Sequence, residues 1–156
     1  MGKFKQRNLW ESPWGYIESF IIGFGLLFAG FALELSTPNL TGFSIIFPYN
    51  LYILISFYLL LFISYKWFSN FKIIRWLSKV PAAITSICLV TFMVLLMGIF
   101  PQVQSDNSII NGFGLNHITT NWAFIIIISL FLSSLGLITI KRIHQFNKAN
   151  IGFILN

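Results

Sequence analysis

The sequence predicts an all-α integral membrane protein with four transmembrane helices and both ends cytoplasmic, and three observations lead there. The chain of 156 residues is 56% hydrophobic and 9% charged, with a mean hydropathy of +0.80, which leaves too few charges to cover a soluble globule of this size. Its apolar residues fall in runs of bilayer length. The clearest opens at Trp122, passes through Ile125-Ile126-Ile127-Ile128 to Ile140 without a charged residue, and stops at Lys141-Arg142. About 20 residues at roughly 1.5 Å rise each span the ~30 Å hydrocarbon core. Finally, all ten basic residues lie in the N-terminal segment, in residues 66–79 and after Ile140, while the two other connections carry none. That distribution is the positive-inside pattern for four helices.

Taken in order, the N-terminal segment holds Lys3, Lys5 and Arg7 before an apolar run. The run is long and no small-x-small cleavage site closes it, so a retained first helix is expected rather than a signal peptide. Ser12-Pro13 reads as a helix start, with a capping hydroxyl followed by a proline whose missing N–H costs nothing in the first turn. Trp10, Trp14 and Tyr16 stand where an interfacial aromatic belt belongs.

The first helix is expected over residues 15–35. Its small residues form two stripes: Gly25 and Ala32 with Ala29 nearby, and Gly23 with Gly30 on nearly the opposite side. Small residues let transmembrane backbones approach closely, so contacts with neighbours are expected on both sides. Glu18 lies on the first stripe and Glu34 on the second. A carboxylate within a membrane span is a functional candidate by default. Both also stand within about a turn of an interface, where hydration or a backbone partner is the plainer explanation.

Residues 36–41, with Pro38 and Asn39, make an outer turn. The second helix is expected over 44–65, with Pro48 either in its first turn or kinking it, and with Asn50 as a polar contact between helices. Residues 66–80 form the long inner connection, where Lys66, Lys72, Arg75 and Lys79 alternate with Trp67, Phe68, Phe71, Ile73, Ile74, Trp76 and Leu77. Such a segment fits an amphipathic stretch on the inner leaflet, with anionic lipid headgroups as its expected partner. The third helix follows over 82–100 with Pro81 in its first turn, then a polar outer loop, 101–120, containing His117, and the fourth helix over 122–140. After Lys148, Ile151-Gly152-Phe153-Ile154-Leu155 begins another apolar run, expected to be the start of a truncated fifth helix or, alternatively, a short interfacial tail. The whole chain is expected to form a single helical membrane domain.

Composition also excludes several functions. Basic residues confined between apolar runs do not make a nucleic-acid-binding face. One cysteine, Cys88, inside an apolar run rules out a CxxC redox pair or a cysteine metal cluster within the chain. No Ser/His/Asp set falls on one side of the membrane and no phosphate-cradling glycine loop precedes a helix, so no catalytic residue and no metal site is expected. His117 and His144 are predicted on opposite sides. A single histidine can still ligate haem iron, which makes His117 the haem-ligand candidate beside the reading of a polar interfacial residue.

Several short stretches, in order, resemble the ResB-like (CcsB) membrane proteins of system II cytochrome c maturation. They are Ser12-Pro13-Trp14-Gly15-Tyr16-Ile17-Glu18, Phe47-Pro48-Tyr49-Asn50, Met97-Gly98 with Gln102, Trp122-Ala123-Phe124, Leu135-Gly136-Leu137 with Lys141-Arg142, and Phe153-Ile154-Leu155-Asn156. The resemblance implies the N-terminal membrane portion of such a protein in a bacterial inner membrane. It implies work with a CcsA-like partner to deliver reduced haem to an apocytochrome c, with no catalysis by this segment itself. The family pattern continues with a histidine after the Phe-x-Leu-Asn stretch and with an extracytoplasmic domain, neither of which this sequence includes, and Pro101 stands where an arginine is expected. Two other functions fit the residues: a small four-helix transporter coupled through Glu18, and a structural membrane subunit.

Overall fold

The computed structural model describes residue 10 and residues 14–37, 49–103 and 108–154. Among these the chain is helical throughout: α1 (Tyr16–Ser36), α2 (Tyr49–Phe68), α3 (Lys72–Leu77), α4 (Val80–Ile99), α5 (Ser108–Gly112), a 3-10 turn (Ile118–Thr120) and α6 (Trp122–Ile154). Four of them, α1, α2, α4 and α6, are long and apolar enough to cross a membrane, which makes this a multi-pass membrane protein. The proposed Ser12-Pro13 helix start and Pro48 lie outside the described residues, as does the side chain of Asn50.

Two elements differ from expectation. The fourth spanning helix does not stop at Lys141-Arg142 but runs unbroken for 33 residues to Ile154, about 50 Å at the standard rise. Neither proline nor a turn-forming cluster interrupts residues 141–154, so the backbone has no reason to leave the helix once side chains reach the headgroups. The apolar run expected to open a fifth helix is thus the continuation of α6. Between α2 and α4, the expected amphipathic stretch condenses into the short α3, whose Trp76 is buried while Trp67, Phe71 and Ile73 stay exposed.

α1, α4 and α6 pack on one another, and α2 packs against α6. The apolar centre consists of Leu27, Leu89, Met93, Ile118, Ala123 and Ile127. Close approach is bought by glycine at three places. A Cβ on Gly23 would meet Leu89 Cδ1 at 2.6 Å and Thr85 Cγ2 at 2.9 Å, one on Gly30 would overlap the Ala123 backbone, and one on Gly136 would meet Leu61 Cδ1 at 2.9 Å. Gly23 and Gly30 therefore seat α1 against α4 and α6, and Gly136 seats α6 against α2. Gly25, Ala29 and Ala32 face outward, and among the described residues nothing comes within 4 Å of a Cβ at Gly25. Of the two small-residue stripes, only one packs against the described residues.

The end of the bundle near α3 is fastened by side chains. Trp76 Nε1 donates to Ser19 Oγ at 2.6 Å, Ser19 Oγ donates to the Gly15 carbonyl at 2.6 Å, and the Trp14 and Trp76 rings lie 5.9 Å apart. From α6, Ser134 Oγ donates to the Leu77 carbonyl at 3.0 Å. α4 begins directly after this, with Lys79 as N-cap and Pro81 in the first turn as expected. One polar atom in the interior has no hydrogen-bond partner among the described residues, the buried Thr85 Oγ1.

Two expected outcomes follow from this packing. Gly30→Ala, which forces backbones apart, lowers stability in mild detergent by about 1–3 kcal/mol, the usual cost of overpacking, whereas Gly25→Ala leaves it unchanged within about 0.5 kcal/mol. Thr85→Val, which removes an unpaired buried hydroxyl at nearly constant shape, is neutral or stabilising by up to about 1 kcal/mol. Thermal unfolding of the three variants side by side, followed by circular dichroism, checks both.

Candidate functional site

The densest polar cluster forms where the C-terminal turn of α1 meets the N-terminus of α6. An α-helix begins with backbone N–H groups that have no intrahelical acceptor, and at a membrane surface water satisfies them only in part. Here two side chains supply acceptors. Asn121, the residue before α6, accepts from the Ala123 N–H at 2.8 Å through Oδ1 and donates from Nδ2 to the Phe113 carbonyl at 2.7 Å. Glu34, from the last turn of α1, accepts the Trp122 N–H at 3.0 Å through Oε2. Its other oxygen, Oε1, lies 3.1 Å from His117 Nε2. Glu34 is 5% exposed and Asn121 fully buried, so little solvent competes for these bonds.

The loop before α6 is shaped to serve this cluster. Gly114 has φ +62°, and a Cβ there would stand 2.6 Å from Asn121 Nδ2 and 3.0 Å from Glu34 Oε1. Both the left-handed backbone and the space call for glycine. Gln102 closes the loop from the α4 side: its Nε2 donates to the carbonyls of Phe100 at 2.9 Å and Leu115 at 3.0 Å, and its Oε1 accepts the Ile118 N–H at 3.1 Å. Ile118 is driven fully into the apolar centre, which carries His117 to Glu34.

Each sequence-predicted site residue now has a place. Glu34 joins α1 to α6. Glu18, also 5% exposed, turns back on its own helix: Oε2 accepts the Gly15 N–H at 2.9 Å and Oε1 accepts the Trp10 N–H at 3.3 Å, the reaching-back half of a capping box. The two glutamates stand at opposite ends of α1 and do not meet. His117 is partly buried, with Nδ1 2.7 Å from Asn116 Oδ1 and Nε2 against Glu34. Both ring nitrogens of His117, the haem-ligand candidate of the sequence, are thus engaged by side chains of the cluster. His144 lies far along α6, its ring 6.4 Å from that of Tyr65. Among the described residues, no three His, Cys, Asp or Glu side chains come together as a metal site.

Chemically, the cluster is a clamp. Both Glu34 oxygens are occupied, and the flanking Asn121 and Gln102 amides are paired. Asn121, Gly114 and Ser19 are the residues sequence reading passed over, while Gln102 and Trp76 were named there without the bonds they make here. Asn121 directly before an apolar run carried a readable N-cap signal; the others act through contacts distant in sequence. Comparison with family models, with curated proteins and with solved structures finds no match to this chain.

Glu34→Ala leaves the Trp122 N–H and His117 Nε2 without their partner and is expected to cost about 1–3 kcal/mol. Glu18→Ala, which loses one exchangeable cap, costs about 1 kcal/mol. Glu34→Ala and His117→Ala combined cost less than the sum of the two, by roughly 0.5–3 kcal/mol. A double-mutant cycle on unfolding in detergent measures all three.

Proposed function

We propose that this chain is a membrane component of a haem-delivery and cytochrome c ligation assembly, held in a bacterial inner membrane with its basic end cytoplasmic and working beside a CcsA-like partner. The reading begins from the ordered ResB-like stretches. The observation that carries it is where those stretches fall in the bundle. Trp14-Gly15-Tyr16-Ile17-Glu18 forms the capped start of α1. Gln102 closes the loop that seats His117. Trp122-Ala123-Phe124 begins α6 on Glu34 and against Gly30, and Leu135-Gly136-Leu137 is the contact with α2. Met97-Gly98 and Tyr49 are instead exposed and make no such contact among the described residues, so the support comes from the stretches at the two ends of α1 and along α6.

On this reading the chain contributes a rigid helical platform, and haem is handled where it meets its partner. Two faces are open for that meeting. α1 presents Gly25, Ala29 and Ala32 outward, and α2 buries only Leu61 among its described residues. The transporter reading relies on Glu18 exchanging protons or cations, and both oxygens of Glu18 are engaged in capping, so it is not carried further.

Co-expression of the tagged chain with a CcsA-like protein, followed by purification in mild detergent, tests the proposal. The expected result is recovery of the partner together with haem absorbance, and a drop of about tenfold, equivalent to about 1.4 kcal/mol, in the double variant Gly25→Leu/Ala32→Leu. That variant should keep wild-type helix content, because nothing among the described residues contacts Gly25. Recovery of the wild-type chain without partner or haem overturns the reading.

A further inference from the structure

Beyond their contact at Gly136 and Leu61, α2 and α6 enclose a cleft of about 590 Å³ lined by Phe62, Tyr65, Lys66, Ser69, Ile140, Ile143 and His144. Its lining is graded along both helices. Phe62 and Ile140 come first, nearer the middle of the spans, and Tyr65, Lys66, Ser69 and His144 follow toward the basic end of the bundle. We propose that this cleft is a binding site for one anionic phospholipid, its phosphate held by Lys66 and His144 with the hydroxyls of Tyr65 and Ser69, and an acyl chain laid along Phe62 and Ile140.

Charge and geometry argue for that occupant. None of the four acidic residues of the chain lines the cleft, and among the described residues no ion pair engages Lys66 or His144. A lysine ammonium offers three donors, and an imidazole, a Ser and a Tyr at least one each, which suits phosphate oxygens. Basic pockets between transmembrane helices at the headgroup level are where anionic lipids are recognised, and the volume is that of a small-molecule site. A soluble anion would leave the apolar half of the cleft against water, whereas a lipid fills both halves. This inference rests on the cleft alone and is independent of the cytochrome c maturation reading.

Delipidated protein in detergent, titrated with phosphatidylglycerol or phosphatidylcholine and examined by native mass spectrometry, tests it. One phosphatidylglycerol is expected to be retained in preference to phosphatidylcholine. Lys66→Gln and His144→Gln should each lower that retention about fivefold, Lys66→Arg should keep it, and Ile140→Trp, which fills the cleft, should abolish it. Circular dichroism in the same detergent shows whether each variant remains folded, and Lys66→Arg provides a folded positive control. The proposal is overturned if Lys72→Gln, an exposed position outside the cleft, lowers retention as much as Lys66→Gln, since the attraction would then be diffuse. Equal retention of the two lipids overturns it as well.

Discussion

The bond from Glu34 to the backbone of Trp122 is the constraint on which the arrangement of α1 and α6 depends. A spanning helix must begin somewhere near the membrane surface, and the first of its N–H groups lack intrahelical acceptors at a place where unpaired polar groups are costly. Asn121 can satisfy one such group from its own chain position. The Trp122 N–H is satisfied by a side chain from another helix, and that fixes where α1 must end relative to where α6 begins. Glu34 suits the position on two grounds: it supplies two acceptor oxygens, and a helix N-terminus carries partial positive charge. Once those ends are joined, Gly30 lies against Ala123, and only a residue without a side chain permits that contact.

The opposite end of α1 solves the same problem differently. There Glu18 bonds to its own N-cap, and Ser19 makes a link to the rest of the bundle. Its hydroxyl accepts from Trp76 while donating to Gly15, so α1 and α3 share a single oxygen. α3 in turn offers the Leu77 carbonyl to Ser134 of α6. A six-residue helix with one buried tryptophan thus couples α1 to α6 at the end away from Glu34. α1 is held to α6 at both ends, directly at one and through α3 at the other, and α4 fills the angle between them.

Much of this was legible in the sequence because apolar run length, proline position and glycine spacing are local signals. The four spans, the start of α4 at Pro81 and the packing role of Gly23 and Gly30 all follow from them. The stop assigned at Lys141-Arg142 shows the limit of hydropathy: charge marks where side chains leave the apolar layer, whereas a helix ends only where its backbone is broken or capped. Gly25, Ala29 and Ala32 show another limit. Two stripes of small residues on one helix are equivalent in sequence, and only the position of the neighbours distinguishes the one that packs. Glu18 and Glu34 are likewise similar as buried carboxyl groups. What separates them is that Glu34 faces the start of another helix, a fact set by a contact between residues 88 positions apart.

The unequal packing of the helices bears on what the membrane itself does for this fold. α1, α4 and α6 share the apolar centre and the polar ties at both ends, so their association is specified by the chain. α2 has Leu61 against Gly136 and little else buried. Packing rather than hydrophobicity drives association in lipid, and a helix with so small a packed area gains little from it. On the proposal of a lipid in the cleft, part of its hold on α6 comes from what fills the space between them. An amphiphile lodged among Phe62, Ile140, Lys66 and His144 would contact both helices at once and would be stabilised by each. Removing it should loosen α2 while leaving the α1–α4–α6 core intact, because none of the bonds around Glu34, Ser19 or Ser134 involves α2.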